Sequence, residues 1–192
     1  MAGPAAPPPA AVKAETYLLL PEPRAMGTAV SRPFADSRET VFTPTRQDAD
    51  GKLHSISRGE FAKLGLGWDS YLERAQAVAE RRLSTLQPEL IKGENGKVAY
   101  AVYRGEDPSI ACLLVAPSLA IIFKNIFGAE VWLVAPDRHS LFVFPARKEA
   151  LEEFVDDLRE RFEDNPFAAS DEVFAVKKGA APRVVARLSG AR

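Results

Sequence analysis

Between Ile110 and Phe123 the chain reads IACLLVAPSLAIIF, fourteen residues in which one hydroxyl and one proline interrupt apolar side chains. A segment so poor in polar groups must leave water, and what it becomes limits the rest of the fold. A membrane-crossing helix needs about 20 such residues. This run ends at Lys124 and Asn125, and Gly128 closes the segment. Pro117 divides it. Proline pushes the residue before it toward extended backbone and fits the first turn of a helix after it. SIACLLVA therefore reads as a strand buried on both faces, and SLAIIFKNIFG as a helix beginning near Pro117. Leu119, Ile122, Phe123 and Ile126 fall at i, i+3, i+4 and i+7, one helical face. Lys124 suits the last turn and Gly128 the left-handed position beyond it. A core strand feeding a core helix is the expectation, with a membrane or re-entrant segment as the weaker alternative.

The flanking segments supply more strands and helices. RETVFTPTRQDADGKLHSIS reads as a hairpin turning at Asp50-Gly51, and Pro44, which lacks an N–H, places its first strand at an edge. Ser57 with Glu60, and Ser70 with Glu73, both match the capping box, so a short helix and a long one are expected to begin there. The long helix has an apolar stripe of Leu72, Ala75, Ala79, Leu83 and Leu86 and ends before Pro88. LIKGENGKVAYAVYRG reads as a hairpin with a two-residue turn at Asn95-Gly96. Both faces of residues 98–103 are apolar or aromatic, which predicts a central strand. EVWLVAPDRHSLFVF gives two strands joined by Pro136 to Ser140. RKEALEEFVDDLRERFEDN gives a helix with Leu151, Phe154, Val155, Leu158 and Phe162 on one side. Arg147 and Lys148 stand at its start, where the helix dipole disfavours cations. DEVFAVKKGAAPRVVARL reads as a closing hairpin that turns at Gly179, with Pro182 marking an edge strand.

Strands joined by tight turns, with no βαβ repeat, predict an α+β fold: a mostly antiparallel sheet built from hairpins, with helices packed on one face. Residues 1–14, rich in alanine and proline, read as a disordered tail, since they cannot bury enough apolar area to offset their ordering entropy. Residues 15–40 read as an extended N-terminal segment and 41–188 as a single domain. The start lacks the basic region and long apolar stretch of a secretory signal.

Chemistry is sparse. The net charge is −1, from 25 basic and 26 acidic residues, which gives no basic field for nucleic acid. There is no phosphate-binding glycine loop; LGLGW at 64–68 lies between helices rather than after a strand. His54, His139 and Cys112 lack ligand spacing, so neither a metal nor a cofactor is expected. Cys112 is the only cysteine, which excludes an intramolecular disulfide and fits a reducing, cytoplasmic setting. The concentrated polar cluster is PDRHS at 136–140. As a site, Asp137, Arg138 and His139 would hold a small anion or carboxylate, with Arg138 as the fork donor and His139 as a pH-sensitive partner. As a turn, proline and aspartate do what they usually do in turns. A triad of Asp137, His139 and Ser140 is disfavoured, because consecutive turn residues rarely converge.

From about Trp68 to Lys178 the pattern resembles a family of uncharacterised bacterial proteins, the YtpQ-like family. The helix WDSYLERAQAVAERRLSTLQPEL, the segment LLVAPSLAIIFKNIFGAEVWLVAPDRHSLFVF and the stretch FEDNPFAASDEVFAVKKG carry the resemblance. Pro136 and Arg138 align with the family's Pro-x-Arg turn. The family has no established activity, so the resemblance implies fold rather than function. The functional expectation is a non-catalytic binding or adaptor domain that contacts a protein partner or a small anion, without nucleic acid or membrane. The alternative is a hydrolase or transferase with a site around Asp137, Arg138 and His139.

Overall fold

The computed structural model describes residues 16–190. It contains two antiparallel sheets. The smaller joins β1 (Thr16–Pro23), β2 (Thr40–Gln47) and β3 (Leu53–Ser55) in that order. After α1 (Arg58–Lys63) and α2 (Trp68–Thr85), the hairpin of β4 (Glu89–Lys92) and β5 (Val98–Arg104) opens the larger sheet. A buried 3-10 helix (Ile110–Val115), α3 (Leu119–Ile122) and α4 (Lys124–Phe127) lead to β6 (Glu130–Val134) and β7 (Ser140–Pro145). Next come α5 (Lys148–Glu152), α6 (Val155–Glu163), β8 (Glu172–Lys177) and β9 (Arg183–Arg187). The larger sheet runs β4-β5-β7-β6-β8-β9. The fold is α+β and antiparallel, as the hairpin pattern predicts.

Packing on one face describes only the first of two layers. One face of the six-stranded sheet presents Ala101, Tyr103, Leu133 and Val143 to α2, the 3-10 helix, α3 and the smaller sheet. The other presents Val102, Phe142, Phe144 and Val173 to Leu151, Val155 and Leu158 of α5 and α6. Both faces of the central strands are apolar because both are covered. The segment expected to precede the domain belongs to the same core. Leu18, Leu19 and Leu20 of β1 are fully buried, and Tyr71 of α2 donates its hydroxyl to the Leu18 carbonyl at 2.9 Å. The tail expected over residues 1–14 lies outside the described residues.

Several local expectations change. SIACLLVA is not a strand: Ile110–Val115 forms a 3-10 helix whose six residues are all buried. Burial on every side made the run look like a central strand, and periodicity cannot separate the two for a short apolar run. The helix expected after Pro117 breaks at Phe123, which caps both α3 and α4. Leu119 and Phe123 stay inside, while Ile122 and Ile126 are turned out to solvent. Strand β2 is central in its sheet rather than an edge. Pro44 is tolerated there because β3 pairs only with Thr45 to Gln47, so the missing N–H faces the space past the end of β3. The Pro44 carbonyl on that side still accepts from Ile56 N–H at 2.9 Å. Ser57 and Glu60 form the expected capping box. Ser70 does not cap, because α2 starts at Trp68 after an extended Gly67. The β4–β5 turn closes between Gly93 and Lys97, one residue longer than two, with Gly96 at φ +74°. The late helix is divided into α5 and α6 around Phe154.

Candidate functional site

The 136–140 loop links β6 to β7, and its backbone is engaged on several sides. Arg138 N–H donates to the Phe167 carbonyl at 3.0 Å, and the Arg138 carbonyl accepts from Ala111 N–H at 3.2 Å. The His139 carbonyl accepts from Gly105 N–H at 3.2 Å. The three side chains singled out from sequence go three ways. The buried Asp137 carboxylate accepts from its own loop, His139 N–H at 2.8 Å and the Ser140 hydroxyl at 2.9 Å. That is the turn chemistry of aspartate. Arg138 reaches across to β1 and pairs with the buried carboxylate of Glu22. His139 sets Nδ1 3.2 Å from the Gly105 carbonyl and its ring edge-on to Phe167, 5.6 Å between centroids. Its imidazole is thus bonded away from Ser140, whose proton goes to Asp137. The arrangement binds loop to sheet through the Arg138–Glu22 pair, and it leaves Glu22 Oε2 and Arg138 Nε buried without a hydrogen-bond partner among the described residues.

Other buried polar groups are similarly engaged. Glu172, at the start of β8, accepts from the Ser37 hydroxyl at 2.6 Å and from the N–H groups of Arg38, Glu39 and Thr40 at 2.8, 3.1 and 3.1 Å. Burial raises the pKa of this carboxyl, but these donors outweigh it and hold it below the usual glutamate range. Arg82 of α2 donates to Asp107 at 3.0 Å and also to Ser109 and Gln47. Cys112 is buried, and burial pushes its thiol up to about 12, well away from a reactive thiolate. Among the described residues no group of three or more histidine, cysteine or acidic side chains could hold a metal ion. Among the same residues no helix is long and apolar enough to cross a membrane.

What sequence reasoning missed is a cleft of about 1310 Å³ at the opposite end of the six-stranded sheet. It lies where β6 begins and β7 ends, between the β4–β5 turn and α5. At its base are the half-buried side chains of Ile91, Tyr100, Phe127 and Phe154. The Tyr100 ring rests 4.8 Å from Phe154 and 5.3 Å from Phe144, so the base is a fixed aromatic layer. The rim is charged and exposed. Lys92 and Lys97 stand on the hairpin side; Glu149 and Glu153 stand on the helix side. None of these four makes an ion pair among the described residues. Arg147, whose place at a helix start has no account in local sequence, is an exposed residue of this rim, while Lys148 pairs with Glu152 at 3.1 Å. The cation against the dipole was the one sequence signal that pointed here. The remaining cleft residues come from six separate elements and the turns between them, and nothing local brings them together.

Comparison with family models, curated proteins and solved structures gives no match, so the resemblance over residues 68–178 rests on sequence pattern alone.

Proposed function

We propose that this chain is a non-catalytic binding domain that contacts a protein partner through the cleft between the β4–β5 turn and α5. The observation that carries the reading is the cleft's make-up: an aromatic and aliphatic base inside a rim of charges that make no ion pair among the described residues. Charges that lack an internal partner are available to an external one, and an apolar base gives such a contact its area. The cleft lining holds no histidine, cysteine or serine, so it offers no imidazole base, thiol or serine hydroxyl. In the 136–140 loop, Asp137, Arg138 and His139 already serve the backbone and Glu22, which supports a structural part for them. A cytoplasmic location belongs to the same proposal; its support is a lone cysteine that is buried and unpaired.

The test is site-specific photo-crosslinking in cells that make the full chain. A photoreactive phenylalanine analogue replaces Ile126, an exposed residue of the cleft lining, or Ser84, an exposed residue of α2 outside it. Discrete protein adducts are expected from position 126 and not from 84, and they should weaken when Lys92 and Lys97 are changed to glutamate. Equal labelling at both positions, or none at 126, refutes the reading.

A further inference from the structure

We infer that the partner this cleft fits is a second copy of the same chain, docked about a two-fold axis. The inference rests on the cleft being a docking surface and adds the identity of its occupant. The argument is one of charge. The hairpin wall carries Lys92 and Lys97, and the helix wall carries Glu149 and Glu153. Glu94 on the first wall and Arg147 on the second offset these only in part, leaving the hairpin side net positive and the helix side net negative. Glu130, where the sheet ends, adds to the acidic side. A peptide of uniform sign would meet repulsion from one wall or the other. A two-fold partner meets net attraction at both: its hairpin lies against this chain's α5, and its α5 against this chain's hairpin. That is what an isologous interface demands, a patch complementary to itself.

Three further observations agree. The whole chain has a net charge of −1, so two copies approach without long-range repulsion. At about 1310 Å³ the cleft exceeds the roughly 300–1,000 Å³ of most small-molecule pockets. Ile126 in its lining is 45% exposed, and Ile122, four residues before it, is 46% exposed. Strand β4 also ends the sheet, so its outward N–H and C=O groups have no neighbouring strand among the described residues.

The experiment uses the purified full chain in sedimentation velocity over a concentration series, with two charge-reversed forms, K92E/K97E and E149K/E153K. All four side chains are exposed, so both forms should fold, and thermal melting checks this. The wild type should shift from monomer to dimer with concentration. Each reversed form alone should associate about tenfold or more weakly, because like charges then face each other across both contacts. An equimolar mixture of the two forms should regain association, since each hairpin again faces an α5 of opposite sign. A wild type that stays monomeric to millimolar concentration overturns the inference, and so does a mixture no better than its components. If the purified chain is monomeric while the crosslinker at position 126 still captures a different protein, only the second copy is refuted; if both fail, so does the docking surface.

Discussion

Replacing Glu172 with glutamine tests the contact that ties the segment between β1 and β2 to the larger sheet. One carboxylate oxygen accepts from Arg38 and Glu39 N–H, and the other from Thr40 N–H and the Ser37 hydroxyl. Glutamine keeps one acceptor and turns an NH2 toward the other pair. The Ser37 hydroxyl can rotate, but a backbone N–H cannot. Thr40 N–H, in a residue that is 1% exposed, is left without an acceptor, or else Arg38 and Glu39 are. An orphaned buried donor costs about 1–3 kcal/mol, and bonds to a charged acceptor are worth about 1.5–3 kcal/mol against roughly 1 for neutral ones. The loss should therefore be about 2–4 kcal/mol at neutral pH, read from the guanidinium unfolding midpoint. In a domain of this size the melting temperature should fall by about 2–4 °C per kcal/mol. The pH dependence carries the sign. The folded pKa lies below the ordinary 4.5, so the wild-type advantage is fully present above 4.5 and disappears as pH falls through the depressed folded value. The two stability curves should converge in acid. A loss below about 0.5 kcal/mol at pH 7 would refute the assigned role, since even one orphaned donor costs more. A loss unchanged down to pH 3 would show a steric effect rather than a carboxylate one.

Arg138→Met leaves the buried Glu22 carboxylate without its cation and should cost about 3–5 kcal/mol in denaturant titration, while the E22L/R138M double replacement should recover much of it. Tyr71→Phe removes the hydroxyl bonded to the Leu18 carbonyl at 2.9 Å, with the Thr45 carbonyl at 3.3 Å, and should cost about 1–2 kcal/mol by the same assay. Cys112 should react with a thiol reagent at pH 8 only as fast as the protein opens, and rapid labelling of the native protein would contradict its burial.

The parts of the fold legible in the sequence are those set by short-range physics. The capping box at Ser57 and Glu60, the turns at Gly96 and Gly179 and the edge proline at 182 each depend on residues within a few positions. The parts that were not legible depend on distant partners. Ile110–Val115 could be a strand or a 3-10 helix with the same side chains inside, and the packing of β1, α2 and β7 around it decides the outcome. The candidate loop was found as a polar cluster, but its chemistry was set by Glu22, 116 residues away from Arg138 in sequence. The cleft was invisible because Lys97 and Glu149 share no local pattern and meet only once β4, β5 and α5 are in place.

The distribution of paired and unpaired charge separates holding the fold from meeting a partner. At one end of the six-stranded sheet, polar links join elements that the chain leaves far apart, Glu172 to residues 37–40 and Arg138 to Glu22, and Arg187 pairs with Asp171 at 2.8 Å across the β8–β9 hairpin. Each includes a carboxylate no more than 6% exposed, so each resists removal. At the other end, where β6 begins at Glu130, Lys92, Lys97, Glu149 and Glu153 of the cleft are exposed and make no ion pair among the described residues. Exposed unpaired charges add little to stability. At protein concentrations where the wild type is monomeric, reversing Lys92 and Lys97 should therefore leave the unfolding midpoint within about 0.5 kcal/mol of wild type, while changing association at higher ones. Replacing Glu172 or Arg138 should do the reverse. If the cleft substitutions instead destabilised the fold as strongly as Arg138→Met, their charges would be part of the scaffold and not available to a second protein.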